Sequence, residues 1–390
     1  MKRSLLIGLI GLIGLVGFNG QAWAQRMPLS DDATASVLTC GKGDDFYTSF
    51  GHSALRITDT ANGIDLVYNY GTFDFDTPHF YWKFMRGKLD YCLSRSTFES
   101  FLYEYTYYGR SVSEQRLTME PGQVQNLYLL LEANYLPEYR YYKYDFLRDN
   151  CATRVRDIVY CAWGGDTILG RETKPMSYRR LLAGCLYDTL EWWRLGVDLM
   201  LGLPADHRCT APERMFLPAE MEAEFAECSP KGIWVAPFIV EASQPMLPSG
   251  CAPKHRSFPP LVAFVLLFVA VALLSWKARE EGSCWRKAVR VVDRVLFITA
   301  GVAGCFLLFM WLGTDHWCTK WNLNVLWLSP LLILIAIRLE RSPRWALWLQ
   351  LVCFAVAAVW VVVCNLSLGI LPLILTLSLQ VALLLRYKRQ

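Results

Sequence analysis

Hydropathy divides the chain into two unequal parts. From Phe258 to Arg389 nearly every segment is apolar, whereas residues 25–258 mix apolar and polar positions as a globular domain does. Apolar blocks at 259–276, 295–312, 324–338, 345–363 and 366–385 predict five membrane-spanning helices. In the first part, alternation predicts strands at 53–58, at 64–70 around Val67, at 89–95 around Tyr91, at 112–118 and at 141–147. Pro121 opens a helical pattern through Val124, Leu127, Leu130 and Leu131. Asn150 is a good N-cap for a second, carried by Val155, Ile158, Val159 and Ala162. Residues 177–201 read as two short helices, and 242–258, rich in Pro and Ser, as a linker. The expected architecture is an α+β domain followed by an all-α bundle of five transmembrane helices.

Charge orients this arrangement. Loop 277–294, turn 338–344 and the tail hold twelve Lys and Arg, against Lys320 alone in loops 313–323 and 364–365. Basic loops stay in the cytoplasm, so residues 25–258 are expected on the far side of the membrane. The N-terminus agrees. Lys2 and Arg3 precede an apolar run, Leu5 to Val16, and Ala22-Trp23-Ala24 resembles a cleavage site. The expected division is a signal peptide at 1–24, an exported domain at 25–258 and a membrane domain at 259–390, an uncleaved anchor being the alternative for the first. Composition excludes other classes. Of 390 residues, 54% are hydrophobic and 19% charged, which rules out a disordered chain. A net charge of +4 does not argue for nucleic acid. Thirteen cysteines without a CxxC pair do not suggest a zinc site, and neither a metal nor a cofactor is expected.

Candidate chemistry is sparse. The five histidines are His52 at a strand entry, His79 in an aromatic stretch, His207 and His255 in polar loops, and His316 in the outer loop between spans two and three. The best thiol is Cys151. At the first turn of a helix, free N–H groups and the helix dipole favour a thiolate. The bland readings stay open on residue type alone. An exported cysteine is by default half a disulfide or a buried hydrophobe, and that default applies to Cys161, Cys185, Cys209 and Cys228. Cys318 is a further candidate for pairing with an odd cysteine of the outer domain. A lone His at a strand start is usually structural, and Asp315 with His316, flanked by Trp311, Trp317 and Trp321, fits an ordinary interfacial turn as well as a substrate site.

Three runs raise the odds for a Cys–His site: Tyr-Thr-Ser-Phe-Gly-His-Ser-Ala-Leu-Arg-Ile (47–57), Tyr-Asn-Tyr-Gly-Thr-Phe-Asp-Phe (68–75) and Phe-Leu-Arg-Asp-Asn-Cys-Ala-Thr-Arg (146–154). With the loop Gly-Thr-Asp-His-Trp-Cys-Thr-Lys-Trp-Asn-Leu-Asn (313–324), they resemble the Lnb family of Bacteroidota membrane proteins. That resemblance implies lipoprotein N-acylation at the inner membrane, with a phospholipid as acyl donor and a diacylated lipoprotein as acceptor. His on an early strand and Asn-Cys opening a later helix is also the order of permuted papain-like proteins, including NlpC/P60 relatives. This implies Cys151 as nucleophile, His52 as base and Asn69, or else Tyr68, as third member. Ser53, Asn150, Arg154, Asp315 and His316 would support the site, Arg154 as a candidate oxyanion donor. The competing readings are a peptidase or amidase acting on peptidoglycan, and a non-enzymatic membrane scaffold.

Overall fold

The computed structural model describes residues 28–387, apart from 44, 165–166, 169–173, 187–189, 228, 231–242, 249–257 and 280–283. The signal-peptide expectation, Cys228, Cys251 and most of the anticipated linker therefore lie outside the described residues.

The N-terminal domain is built on strands β1 (Thr34–Cys40), β2 (His52–Asp59), β3 (Ile64–Thr72), β4 (Asp90–Thr97), β5 (Val112–Arg116), β6 (Tyr141–Lys143) and β9 (Gln244–Leu247). They form one sheet in the order β6-β4-β3-β2-β1-β5-β9, antiparallel throughout. A two-residue ladder joins β7 (Thr167–Ile168) to β8 (Ser229–Pro230). The helices of this domain are α1 (Phe80–Met85), α2 (Phe98–Tyr107), α3 (Pro121–Tyr135), α4 (Cys151–Trp163), α5 (Tyr178–Cys185), α6 (Glu191–Met200), α7 (Ala211–Arg214) and α8 (Pro218–Phe225). One sheet face, with Val37, Leu55, Ile57, Tyr68 and Leu93, packs under α3 and α4. The other, with Leu38, Cys40, Ala54 and Val67, packs under α2.

Five predicted strands and the four helices anticipated in this domain are present with shifted ends. The run expected at 141–147 pairs only through Lys143. Beyond it, Asp145 accepts from the N–H groups of Leu147 (3.0 Å) and Arg148 (3.1 Å) and bends the chain toward α4. The linker segment holds β9, on the open edge of β5. Strand β1 was not anticipated. It lies between two strands with both faces covered, and its burial shows no alternation to betray it.

The membrane part comprises α9 (Pro260–Lys277), α10 (Trp285–Leu312), α11 (Asn324–Trp327), α12 (Leu331–Arg338), α13 (Arg344–Val363) and α14 (Ile370–Tyr387). Among the described residues, α9, α10 and α13 are long and apolar enough to cross a membrane, and α14 is a shorter apolar helix. The third expected span is not one helix. It breaks between Trp327 and Leu331, where Pro330 lacks the N–H that a continuous helix needs. The break lets Gly304 of α10 close on the Leu328 carbonyl, where a Cβ would lie 1.4 Å from the oxygen.

The loops at one end of this bundle meet the N-terminal domain. The Asp315 N–H donates to Arg86 O (2.9 Å), Asn322 Nδ2 to Leu199 O (2.7 Å) and the Ser367 N–H to Asp198 Oδ2 (2.8 Å). The loops expected outside the cytoplasm thus face the exported domain. The disulfide expectation fails where it can be followed. Cys161, Cys185, Cys209 and Cys318 are free thiols. Cys209 is buried and Cys185 and Cys318 pack against the same apolar cluster, where burial accommodates a thiol as a small hydrophobe.

Candidate active site

The site forms where β2 begins, β3 ends and α4 starts. Asn150 caps α4: its Oδ1 accepts from the Thr153 N–H (2.9 Å), while Thr153 Oγ1 accepts from the Asn150 N–H (2.8 Å). Its Nδ2 donates to the carbonyls of Phe146 (2.9 Å) and Phe216 (2.8 Å), fixing the turn in place. Cys151 follows as the first helical residue and is buried.

His52 opens β2, and its Nε2 bonds Asn69 Oδ1 at 2.5 Å. A carboxamide oxygen only accepts, so Nε2 carries the hydrogen and Nδ1 remains as the basic nitrogen. Strand parity selects this partner. Tyr68 stands opposite Leu55, which puts Asn69 opposite Ala54, two residues from His52 and on the same face. Tyr68 therefore points the other way, and its hydroxyl donates to buried Glu132 (2.5 Å). The alternative of Tyr68 as third member is thereby corrected.

Two residues that sequence reasoning missed complete the setting. β3 bulges between Tyr70 and Thr72, and Gly71 there has φ +96°. A Cβ on Gly71 would lie 3.8 Å from each of Cys151 Cβ, His52 Cε1 and Tyr144 Cε2. One glycine is thus surrounded by the thiol, the imidazole and the ring of Tyr144. The predicted strand stopped at residue 70, and a Gly interrupting a strand pattern is the signal that could have found it.

Electrostatics distinguishes Cys151 from the other buried thiols. Burial alone would push it up, but the charge and hydrogen bond of His52, with the N–H groups of Ser53 and Ala152, bring it below its ordinary value. Burial likewise opposes charge on His52, and the Cys151 sulfur and the Asn69 bond carry that imidazole above its ordinary value. Each group thus favours the charged form of the other. Cys40, the cross-strand partner of His52, is by contrast pushed up to about 12 by burial.

The remaining candidates support the site or lie elsewhere. Ser53 offers its backbone N–H to the sulfur, and its buried hydroxyl has no partner among the described residues. Arg154 is held by Asp149 through Nε (2.6 Å) and Nη2 (2.8 Å) and lies over Tyr142, so it braces the turn before Cys151. Asp315 and His316 are not brought to the thiol. His316 Nε2 meets the carbonyls of Phe84 and Met85 (3.1 Å each), and Asp315 lies 3.9 Å from Lys88. They fasten the outer loop to α1. Among the described residues no His, Cys, Asp and Glu cluster suits a metal.

A thiol of lowered pKa, an imidazole and a carboxamide that orients it can perform nucleophilic acyl chemistry. The comparisons with known proteins fit such a chain. Residues 20–184 match the Lnb N-terminal periplasmic domain, and residues 252–390 match the Lnb transmembrane domain. No curated protein and no solved structure matches. The first match contains His52, Asn69 and Cys151, and the second contains every membrane helix described above. The chain belongs to the Lnb family of membrane proteins, with an N-terminal periplasmic domain and a C-terminal membrane region.

Proposed function

We propose that this protein is a lipoprotein N-acyltransferase that works through a Cys151 thioester in a permuted papain-like domain. The observation that carries this reading is the Cys151–His52–Asn69 arrangement in a periplasmic domain fastened to membrane helices. Cys151 thiolate attacks the ester carbonyl of a phospholipid, and the N–H groups of Ser53 and Ala152 beside the sulfur are the donors available to the developing oxyanion. The ester C–O bond breaks, the His52 imidazolium gives its proton to the departing lysophospholipid oxygen, and an acyl thioester remains. The α-amine of a diacylglyceryl-cysteine lipoprotein then attacks the thioester. His52 takes the amine proton, the amide forms and the thiolate returns.

The membrane region supports the same reading. The loops near Asp315 and Ser367 both meet the periplasmic domain, so α10 and α13 return to it and the path fits five crossings of the inner membrane. α11 and α12 would make the third as a broken helix.

The test is incubation of purified protein with phospholipid alone. The Cys151 peptide should gain one fatty-acyl mass, and neutral hydroxylamine should remove it. His52→Ala should lower the acylation rate by about 10²–10⁴-fold, the usual contribution of a general base. An unlabelled Cys151 peptide, with acyl transfer persisting in Cys151→Ala, would overturn the mechanism.

A further inference from the structure

The segment Phe73–Met85 carries six aromatic residues, and none of α1 is buried. Tyr81 is 80% exposed, Phe75 66%, Phe84 52% and Trp82 50%. So large an apolar patch on a soluble surface marks an interaction site. The occupant follows from where α1 is held. Trp82 stacks on Phe309 of α10, with ring centroids 5.9 Å apart. Phe309 lies four residues, about 6 Å of helix, below Gly313, so Trp82 reaches the level of the last turn of a membrane-length helix. Arg86 Nε donates to Gly313 O (3.2 Å), and the bonds from Asp315 and His316 pin the same C-terminal end of α1 to that loop. Lys83 and Lys88 flank the aromatic face, as cationic side chains do at the headgroup level.

A chain of rings leads inward from this patch. Phe80 contacts Phe84 (6.2 Å) and Phe73 (5.8 Å), Phe73 contacts Tyr91 (5.3 Å), and Tyr91 stacks on Tyr144 (4.4 Å). Tyr144 is the residue that meets Gly71 beside Cys151.

We infer that α1, with Phe75, lies in the outer leaflet of the membrane as an aromatic wedge, and that a phospholipid acyl chain passes along it to Cys151. The wedge stands on its contacts with α10. The passage of the chain rests on the acyl-transfer reading above.

The experiment uses the full-length protein in vesicles of phosphatidylethanolamine and phosphatidylglycerol. A photoreactive p-benzoylphenylalanine replaces Tyr81, or Ala61 at the exposed β2–β3 turn, on the opposite end of the sheet. Lipid adducts are expected at position 81 and not at 61. Equal labelling, or none at 81, overturns the wedge. Tyr81→Glu with Phe84→Glu should slow Cys151 acylation by vesicle phospholipid by about tenfold or more, because a charge at membrane depth is costly. Acylation by a detergent-dispersed short-chain thioester should be unchanged. An equal fall with both donors overturns the acyl passage. Lipid adducts at 81 in a protein whose Cys151 never gains acyl mass would sink the acyl-transfer reading and keep the wedge.

Discussion

Cys40, paired across the strands with His52, and Cys151 are both buried, yet their thiols are driven in opposite directions. Cys40 sits mid-sheet, where desolvation dominates. Cys151 meets the His52 imidazole and two backbone N–H groups. The difference gives a pH test. Because the Cys151 thiol is depressed, its alkylation should hold as pH falls through the ordinary thiol range, down to its own lower value. In His52→Ala burial wins and alkylation should need higher pH. Peptide mass spectrometry would read both, with Cys40 unlabelled in the folded protein. An unchanged profile in His52→Ala would separate the imidazole from the thiol. Cys161 is exposed ten residues along α4, about 15 Å from Cys151, so Cys161→Ser should retain acyl transfer while Cys151→Ser loses it.

At the level of elements, the site depends on a cap and a bulge. Asn150→Ala removes the cap of α4 and leaves the Phe146 and Phe216 carbonyls without their donor. A loss of about 1–2 kcal/mol is expected, seen as a lower unfolding temperature. Gly71→Ala places a methyl group between the thiol, the imidazole and Tyr144 while forcing a non-Gly residue to φ +96°. The strain costs about 1–2 kcal/mol. Activity should fall further than that loss of stability explains, which parallel melting and acylation assays would measure. Normal activity would mean that the site has room to spare beside Gly71.

At the scale of the whole molecule, the two domains are joined by buried polar groups. Arg179, 1% exposed, bonds Asp206 through Nε (2.6 Å) and the carbonyls of Leu201 (3.1 Å) and Gly202 (3.2 Å) through Nη2. Asp198 of α6 adds a carboxylate to it and accepts from Ser367, and Asn324 Nδ2 donates to Asp198 O (2.9 Å). Asp198→Ala removes one partner from a buried cation that keeps Asp206, and leaves the Ser367 N–H without its acceptor, a change that costs about 1–3 kcal/mol. Faster hydrogen exchange over 191–206 and 364–369 should follow, and an unaltered exchange pattern would show that the junction rests on its apolar contacts. A reporter fused after Gln390 should be active only in the cytoplasm, because basic loops are preferentially retained there. Periplasmic activity would reverse the orientation.

Local rules made several features readable without coordinates. The periodicity of the helices after Pro121 and Asn150, the basic loop asymmetry and the helix-start cysteine each depend on residues close together in the chain. Lnb membership was likewise legible in three short runs. What remained hidden depends on non-local neighbours. Asn69 rather than Tyr68 meets His52 because the β2–β3 register, a pairing of separate strands, sets which parity faces the imidazole. Arg154 turns to Asp149 because the bend before α4 brings that carboxylate within reach. α1 gives too short a helical signal to read, and it is held by Phe309, more than two hundred residues away. Side-chain chemistry is written in the chain, but which groups become neighbours is decided by packing, where every contact depends on elements that the local sequence does not contain.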